Sequence, residues 1–380
     1  MKINSNIQGM FAQTILANNE AKMAKSTQKM SSGYKLNAAK DNPAGMAISN
    51  RMKAQLKSLD RANKNAHNAI NAVQTAEGAM SEIEAMLQRM NELSIQASNG
   101  TMTSNDRDAI QEEVTQLCNE ITRISKNTSY NSQSLIDGSQ ELKGYSSNPD
   151  EITVRSYNEQ FPIGDYKVDV DADGNVTLKD LDNNPVQTSS QTVEKYTEKQ
   201  DDGTEKVVGF STRVFTPDGG EIIIDKKIVD SPSAEPTTLN IKGIGGMKIQ
   251  TGAEEGQEIQ VVIPKISLKT LGLADLNDKQ RIDCTTEEGA KKAIEMVSKA
   301  IDVVSAARSK LGAYQNRIEK TVSNLDVTTE NLTESYSTIK DLDMAEGMIE
   351  YTTLQVLIQA GTSMVAQANE QPQQALQLLQ

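Results

Sequence analysis

The chain has no tryptophan, a single histidine and two cysteines, and aromatic residues make up only 3% of its 380 positions. So few rings exclude a large aromatic-lined pocket. One histidine, His67, removes most metal sites and most Ser-His or Cys-His catalytic arrangements. Cys118 and Cys284 lie 166 residues apart, with no CxxC and no even-numbered framework. They read as two small buried or half-buried thiols, a disulfide or a reactive site being the alternative. No stretch approaches the roughly 18 apolar residues of a membrane span, so membrane insertion is not expected. The opening MKINSNIQGMFAQTILANNEAK lacks the continuous apolar core of a secretory signal peptide, so export would need other machinery to read it.

What is there points to long amphipathic helices. The apolar fraction is 37% and the mean hydropathy is -0.52, low for one large globular core but suited to helices with one apolar stripe. Proline divides the chain: seven of nine fall between Pro149 and Pro264, none between 44 and 148, and none between 265 and 371. Proline breaks helix interiors, so two long helical flanks are expected around a non-helical middle. In the first flank Ala69, Val73, Ala76, Met80, Ile83, Leu87, Met90, Ser94 and Ala97 keep an unbroken 3-4 alternation. That is the seam of a coiled-coil-like helix roughly 50 Å long, stopped at Asn99-Gly100. Ile110, Val114, Leu117, Ile121 and Ile124 resume the pattern after the loop. In the second flank Ile294, Val297, Ile301, Val304, Leu311, Ile318, Val322 and Leu325 hold one seven-residue frame.

Both ends carry smaller stripes. At the start they are Ile3, Ile7, Met10, Thr14, Ala17, Ala21 and Ala24. At the finish they are Tyr351, Leu354, Ile358, Gly361, Val365 and Ala368. Neither has a globular core beside it in sequence, so each is expected to bury against the other and against further copies of the chain. The formal charge of -13 is uneven: residues 1–64 carry 11 Lys/Arg and three Asp/Glu, whereas residues 331–380 carry one Lys and six Asp/Glu. Opposite ends of opposite sign attract, within a chain or between chains. The basic arm lacks stacking aromatics and any nucleic-acid module, so no nucleic-acid partner is expected. The middle reads as β, with short alternating or β-branched runs at 152–154, 166–170, 176–178, 206–210, 221–229, 239–242, 247–250 and 259–263. Asp173-Gly174, Asp202-Gly203, Asp218-Gly219 and Gly245-Gly246 supply turns between them. The fold class is therefore α+β, mainly α: long coiled-coil-like helical arms from both termini with an inserted small β-rich domain.

The segments SSGYKLNAAKDNPAGMAIS (31–49), QTAEGAMSEIEAMLQRMNELSIQASNGT (74–101) and DRDAIQEEVTQLCNEI (106–121) resemble the N-terminal region of bacterial flagellins. RSKLGAYQNRIEKTVSNL (308–325), STIKDLDMAE (337–346) and QANEQPQQALQLL (367–379) resemble their C-terminal region. The resemblance implies a division into an inner-core helix at 1–42, an outer helical domain from 43–142 and 286–341, a variable β-rich surface domain at 143–285, and a C-terminal inner-core helix at 342–380. It implies a structural subunit that polymerises into the extracellular filament for swimming, with no catalytic residue, no metal and no cofactor. Ile3, Ile7, Met10, Leu354, Ile358 and Val365 would pack between subunits. Implied partners are other copies of the chain, a flagellar export chaperone and the type III export gate, the filament cap and hook-junction proteins, and host Toll-like receptor 5. A hook-junction protein with similar helical ends is the alternative within this group. Thr338, Gly347, Tyr130 and Gln380 stand where the family commonly has Arg, Glu, Phe and Arg.

Carried over by motif, the receptor-contact positions are Arg89, Leu93 and Glu113. Arg89 and Leu93 are four apart, on one face beside the 87-90-94 seam. The residues alone favour Leu93 packing on a neighbouring helix with Arg89 solvated, and it is the resemblance that favours the contact instead. Asp171 to Asn175 suggests a calcium loop but lacks the bidentate Glu, so a hairpin turn is expected. A metallopeptidase inserted on this frame would need HExxH, which one histidine outside the insert rules out.

Overall fold

The computed structural model of the chain describes residues 6–148, 151–158, 160–171, 174–180, 185–199, 205–217, 219–227, 237–275 and 280–377. The chain divides into two compact units, Asn63–Ser323 and Met1–Ala62 with Asn324–Gln380. Its helices are α1 (Ile7–Ser32), α2 (Pro43–Ala97), α3 (Ser104–Asn127), α4 (Glu287–Lys340) and α5 (Met344–Gln377). Long helical flanks around a β-rich middle are thus what the sequence led one to expect.

Within Asn63–Ser323, every position of the α2 seam from Ala69 to Ala97 is buried. Met80, Ile83, Leu87 and Met90 are the largest of these side chains and are sealed completely. The seam of α3 runs through Ile110, Val114, Cys118, Ile121 and Ser125. The sequence reading had placed Leu117 and Ile124 in it, and both are half-buried at its margin. The α4 seam is built largely from alanine: Ala290, Ala293, Ala300 and Ala307 alternate with Val297, Val304 and Leu311. Small residues at these positions let the helix axes approach closely. The α2–α3 connection is fixed locally. Thr103 Oγ1 accepts the Asp106 N–H, and Asp106 Oδ2 accepts the Thr103 N–H, a reciprocal cap that starts α3. Arg308 of α4 clips α2 from the side, donating Nε and NH2 to Glu77 and NH1 to Glu84.

The β region of this unit forms its own core. Four antiparallel strands, β3 (Lys143–Ser146), β10 (Thr237–Ile244), β5 (Gly164–Val170) and β6 (Val176–Asp180), make one sheet in that order. A second has the order β4 (Ile152–Tyr157), β9 (Glu221–Lys227), β8 (Glu205–Phe215) and β7 (Ser190–Lys199). Residues of both sheets, among them Val168, Leu178, Leu239, Val214, Ile222 and Ile224, share one buried cluster, so the sheets stack as a sandwich. A hairpin of β11 (Met247–Gln250) and β12 (Glu258–Val261) joins the helical core through Ile249, Ile259 and Val261. A two-residue pair, β1 (Ser129–Tyr130) with β2 (Gln133–Ser134), follows α3. All eight strand runs read from sequence overlap observed strands; the run at 259–263 ends two residues past β12, and 228–229 lie outside the described residues. The sequence reading missed β1, β2, β3 and β7, which have few alternating apolar residues. Gly245 and Gly246 turn with φ of 136° and 74°. The Asp202-Gly203 turn and part of the Asp171 to Asn175 segment lie outside the described residues.

Where the chain leaves the helical core for the sandwich and where it returns, the two passes run side by side. Ile263 N–H donates to Gln140 O, Ile266 N–H donates to Ile136 O, and Ser125 Oγ donates to Ile266 O. Glu141 sits at this neck. Burial pushes its carboxyl up to about 7, against the pull of Lys265, Lys310 and Arg155. The folded state therefore holds a proton that the unfolded chain releases near pH 4.5. Stability on this account is full below that pH and falls as pH rises through 4.5 to 7. Glu141→Gln is expected to remove this slope, raising unfolding free energy at pH 8 by at most about 3 kcal/mol while leaving it unchanged at pH 4. Urea titrations of both proteins at the two pH values test this.

Candidate assembly surface

In the unit formed by Met1–Ala62 and Asn324–Gln380, the first and last helices pair antiparallel. Asn6 opens α1, its Oδ1 accepting the Gly9 N–H while its Nδ2 donates to Ala368 O of α5. Three contacts along the pair set its register. A Cβ at Gly9 would lie 3.3 Å from Asn369 Oδ1, one at Gly361 3.2 Å from Leu16 Cδ1, and one at Gly347 3.6 Å from Met30 Cγ. Glycine opposite a long side chain is what lets the axes close up. On α5 the covered positions are Gly347, Tyr351, Leu354, Ile358, Gly361, Val365 and Ala368, so the C-terminal stripe read from sequence is the intrachain seam. On α1 the covered positions are Gly9, Ala12, Leu16, Asn19, Met23, Ser26 and Met30.

The N-terminal stripe read from sequence lies on the opposite side of α1. Ile7 is 73% exposed and Met10 66%, and Thr14, Ala17, Ala21 and Ala24 are exposed as well. Ile3 lies outside the described residues. Helix α1 thus has two 3-4 stripes, and α5 covers the one that reads as less apolar. Phe11 and Ile15 extend the open face of α1, and Ile349, Val356, Leu357 and Met364 make another on α5. Ten of the 17 exposed large apolar side chains among the described residues lie on these two helices. Full burial of each is worth about 1.5–3 kcal/mol. No described helix is long and apolar enough to cross a membrane. A large exposed apolar face of this kind marks an interaction surface.

The segments 31–49 and 337–346, read separately in the sequence, meet here. Gly33 ends α1 in the left-handed conformation, φ 73°, and its carbonyl accepts the Leu342 N–H. Lys35 N–H donates to Lys340 O, and Lys35 Nζ donates to Thr338 O. The Lys340 ammonium lies 5.1 Å from the Tyr34 ring centre. Asp41 closes the loop, accepting the Asn37 and Ala38 N–H groups and pairing with Lys25 at 3.0 Å. Lys25 and these backbone donors hold its carboxyl down at about 2. Asn42 and Asp343 then cap α2 and α5. Gly347 is accommodated in the seam, where a side chain would press Leu342 at 3.1 Å.

The second candidate site lies within Asn63–Ser323. Arg89 and Glu113 join α2 to α3 on the surface, with Nε–Oε1 at 3.0 Å and side chains about half exposed, and Glu92 adds a second carboxylate at 3.3 Å. Leu93 is not on this ridge. It is 2% exposed and belongs to the helical core, which corrects the surface placement carried over by motif and agrees with the packing that the residues alone favour. Here α2 is flanked by α3, through Arg107 to Ala97 O, and by the Cys284 segment, through Ser94. Its buried face widens to take in Leu93 beside Met90 and Ser94. Cys118 and Cys284 are buried free thiols, and burial pushes the Cys118 thiol up to about 12, so it is not a thiolate at neutral pH.

A family model described as the bacterial flagellin N-terminal helical region matches residues 3–141, and one described as the bacterial flagellin C-terminal helical region matches residues 294–379. This chain belongs to the bacterial flagellin family. Similar relatives include flagellin B of Vibrio anguillarum, 33% identical over 100% of this chain and 99% of the relative. Flagellin D of the same species is 34% identical and polar flagellin A of Vibrio parahaemolyticus 33% identical, each with the same coverage. Among solved structures, Bacillus cereus flagellin is 16% identical with a TM-score of 0.32, covering 69% of this chain and 88% of that one. Flagellins are structural proteins, and this flagellin is a structural subunit of the flagellar filament.

Composition gave no sign of the neck carboxyl Glu141 or of the covered stripe on α1, because neither stands out until its packing partner is known. In this flagellin Gly361→Leu is expected to force Leu16 out of the seam. Differential hydrogen exchange should then show lost protection in α1 and α5, with the helices of Asn63–Ser323 unchanged.

Proposed function

We propose that this flagellin polymerises into a helical homopolymer through the open faces of α1 and α5, secreted to the extracellular flagellum. The concentration of exposed large apolar side chains on these two helices carries the reading. Ile7 and Met10 are open and available to neighbouring copies. Leu354, Ile358 and Val365, on the seam, act by holding α5 against α1, so that both open faces are presented together. Residues 1–42 and 342–380 form the inner filament part, 43–142 and 286–341 the outer helical part, and 143–285 the variable surface part. The basic start and acidic finish assist association. An export chaperone covers the apolar C-terminal helix before the type III export gate passes the chain, and the cap and hook-junction proteins contact the same terminal helices at the filament ends. Seeded assembly followed by electron microscopy tests this. Full-length protein is expected to extend seeds into tubular filaments, and protein lacking residues 1–42 and 342–380 to stay monomeric. Filaments from the truncated protein would overturn the reading.

We also infer recognition by host Toll-like receptor 5 through the Arg89–Glu113 ridge, with Leu93 acting from beneath as packing. Two charged side chains, half exposed and locked together across two helices, present a pre-ordered polar surface. Leu93→Ala is a poor probe, since removing a sealed leucine costs about 2–5 kcal/mol of stability. An Arg89→Ala, Glu113→Ala double variant should bind the receptor ectodomain at least about tenfold more weakly with an unchanged melting profile. Unchanged affinity would reject the ridge as the contact.

A further inference from the structure

The turn between α2 and α3 holds Asn99-Gly100, the one Asn-Gly step in the chain. Both residues are exposed, between the end of α2 at Ala97 and the start of α3 at Ser104. The side-chain amide carbon of an asparagine is open to attack by the backbone nitrogen of the residue that follows. Glycine there favours the attack, because no Cβ crowds the closing ring. Whether a fold assists or restrains the step depends on what surrounds the two reacting groups.

The nucleophile is free to react. Gly100 N–H donates to no acceptor among the described residues. A Cβ built on Gly100 would meet nothing within 4 Å, so the peptide has room to move toward the side chain. Removing the Gly100 proton spreads negative charge onto the carbonyl oxygen of the same peptide, Asn99 O. That oxygen accepts Arg107 Nη2 at 3.1 Å and the Met102 N–H at 3.2 Å. A guanidinium and an amide bonded there stabilise the anion that attacks. Arg107 is fixed by a second bond, Nε to Ala97 O at 2.9 Å. Glu287 of α4 also feels Arg107, but its main partner is Lys291, at 2.7 Å.

The electrophile is prepared as well. Thr101 N–H donates to Asn99 Oδ1 at 3.3 Å, which folds the side chain back along the turn. It also puts a donor on the oxygen that gains charge when the amide carbon becomes tetrahedral. Asn99 Nδ2, the leaving nitrogen, makes no hydrogen bond among the described residues. We propose that Asn99 is a self-modification site, deamidated through attack by the Gly100 nitrogen with Arg107 and Thr101 assisting. Hydroxide takes the Gly100 proton. The bond from Gly100 N to Asn99 Cγ forms, the Cγ–Nδ2 bond breaks, and ammonia leaves with a proton from water. Water then adds to either carbonyl of the cyclic imide and opens it, giving aspartate or its β-linked isomer. Either product places a new carboxylate in the turn beside Arg107, and the β-linked one lengthens the backbone between α2 and α3.

The site is independent of assembly, so the test uses monomeric full-length protein held at pH 8. Mass spectrometry of the digested protein, with chromatographic separation of aspartyl from isoaspartyl peptide, follows every asparagine. Asn99 is expected to convert faster than the others, to give both products, and to release ammonia in equal amount. Gly100→Ala should slow conversion by about tenfold. Gly100 lies outside the left-handed region and has open space around it, so this variant is expected to keep the fold. Arg107→Gln should slow it at least about threefold, and Arg107→Lys, which keeps a charged donor, should recover part of the loss. Native protein should also convert faster than the same chain unfolded in urea, a comparison that needs no variant. Faster conversion in urea or in Arg107→Gln would show that the fold restrains Asn99 and would overturn the proposal. Arg107→Lys no faster than Arg107→Gln, aspartate as the sole product, or no conversion at Asn99 would overturn it too.

Discussion

Glycine against a long side chain, repeated along two helices from opposite ends of the chain, is the constraint on which the assembly surface depends. Gly9 and Gly361 let α1 and α5 approach until Asn369 and Leu16 press on the space a Cβ would take, at 3.3 and 3.2 Å. Only when that seam is closed does the rest of each helix become an outward face, with Ile7 and Met10 on one helix and Ile349 and Val356 on the other. The seam covers Leu16, Met23 and Met30 of α1 and Tyr351, Leu354, Ile358 and Val365 of α5, interleaved with small residues. Small residues bring the two helices together, while a further set of large apolar side chains stays open on each of them.

The unit Asn63–Ser323 solves the opposite problem. Its α2 seam carries Met80, Ile83, Leu87 and Met90 completely sealed, and the alanines of α4 bring the facing helix close enough to seal them. This core is complete within one chain. The charged clips on its surface, Arg308 on Glu77 and Glu84 and Arg89 on Glu113, fix which helix faces meet more than they add stability, since surface ion pairs are individually worth little. The sandwich has a separate core, and Glu141 lies at the neck where the chain crosses between them, a buried carboxyl among Lys265, Lys310 and Arg155.

Much of this was legible beforehand. Proline placement separated helical flanks from the β-rich middle, and the strict 3-4 alternation of α2 named its buried positions one by one. Strands with alternating apolar residues were found. The polar β7 was not, because a strand that lines a polar groove on one face and is an edge of its sheet lacks the pattern that signals burial. For the candidate sites, Arg89 and Glu113 could be singled out from sequence, but their contact could not, since it depends on how α2 and α3 are rotated about their axes.

The sequence by itself determined periodicity, and with it helix positions and the β insert, because repeat spacing and chain breakers act locally. It could not decide between equivalent stripes. Helix α1 carries two, and the more apolar one is the open one, because α5, at the far end of the sequence, packs its glycines against the other. Leu93 shows the same limit. The motif placed it on a surface ridge, whereas the residues themselves favoured packing, and it is buried in the helical core. A stripe states that a side chain needs a partner; only packing, where each face can be covered once, states which one receives it.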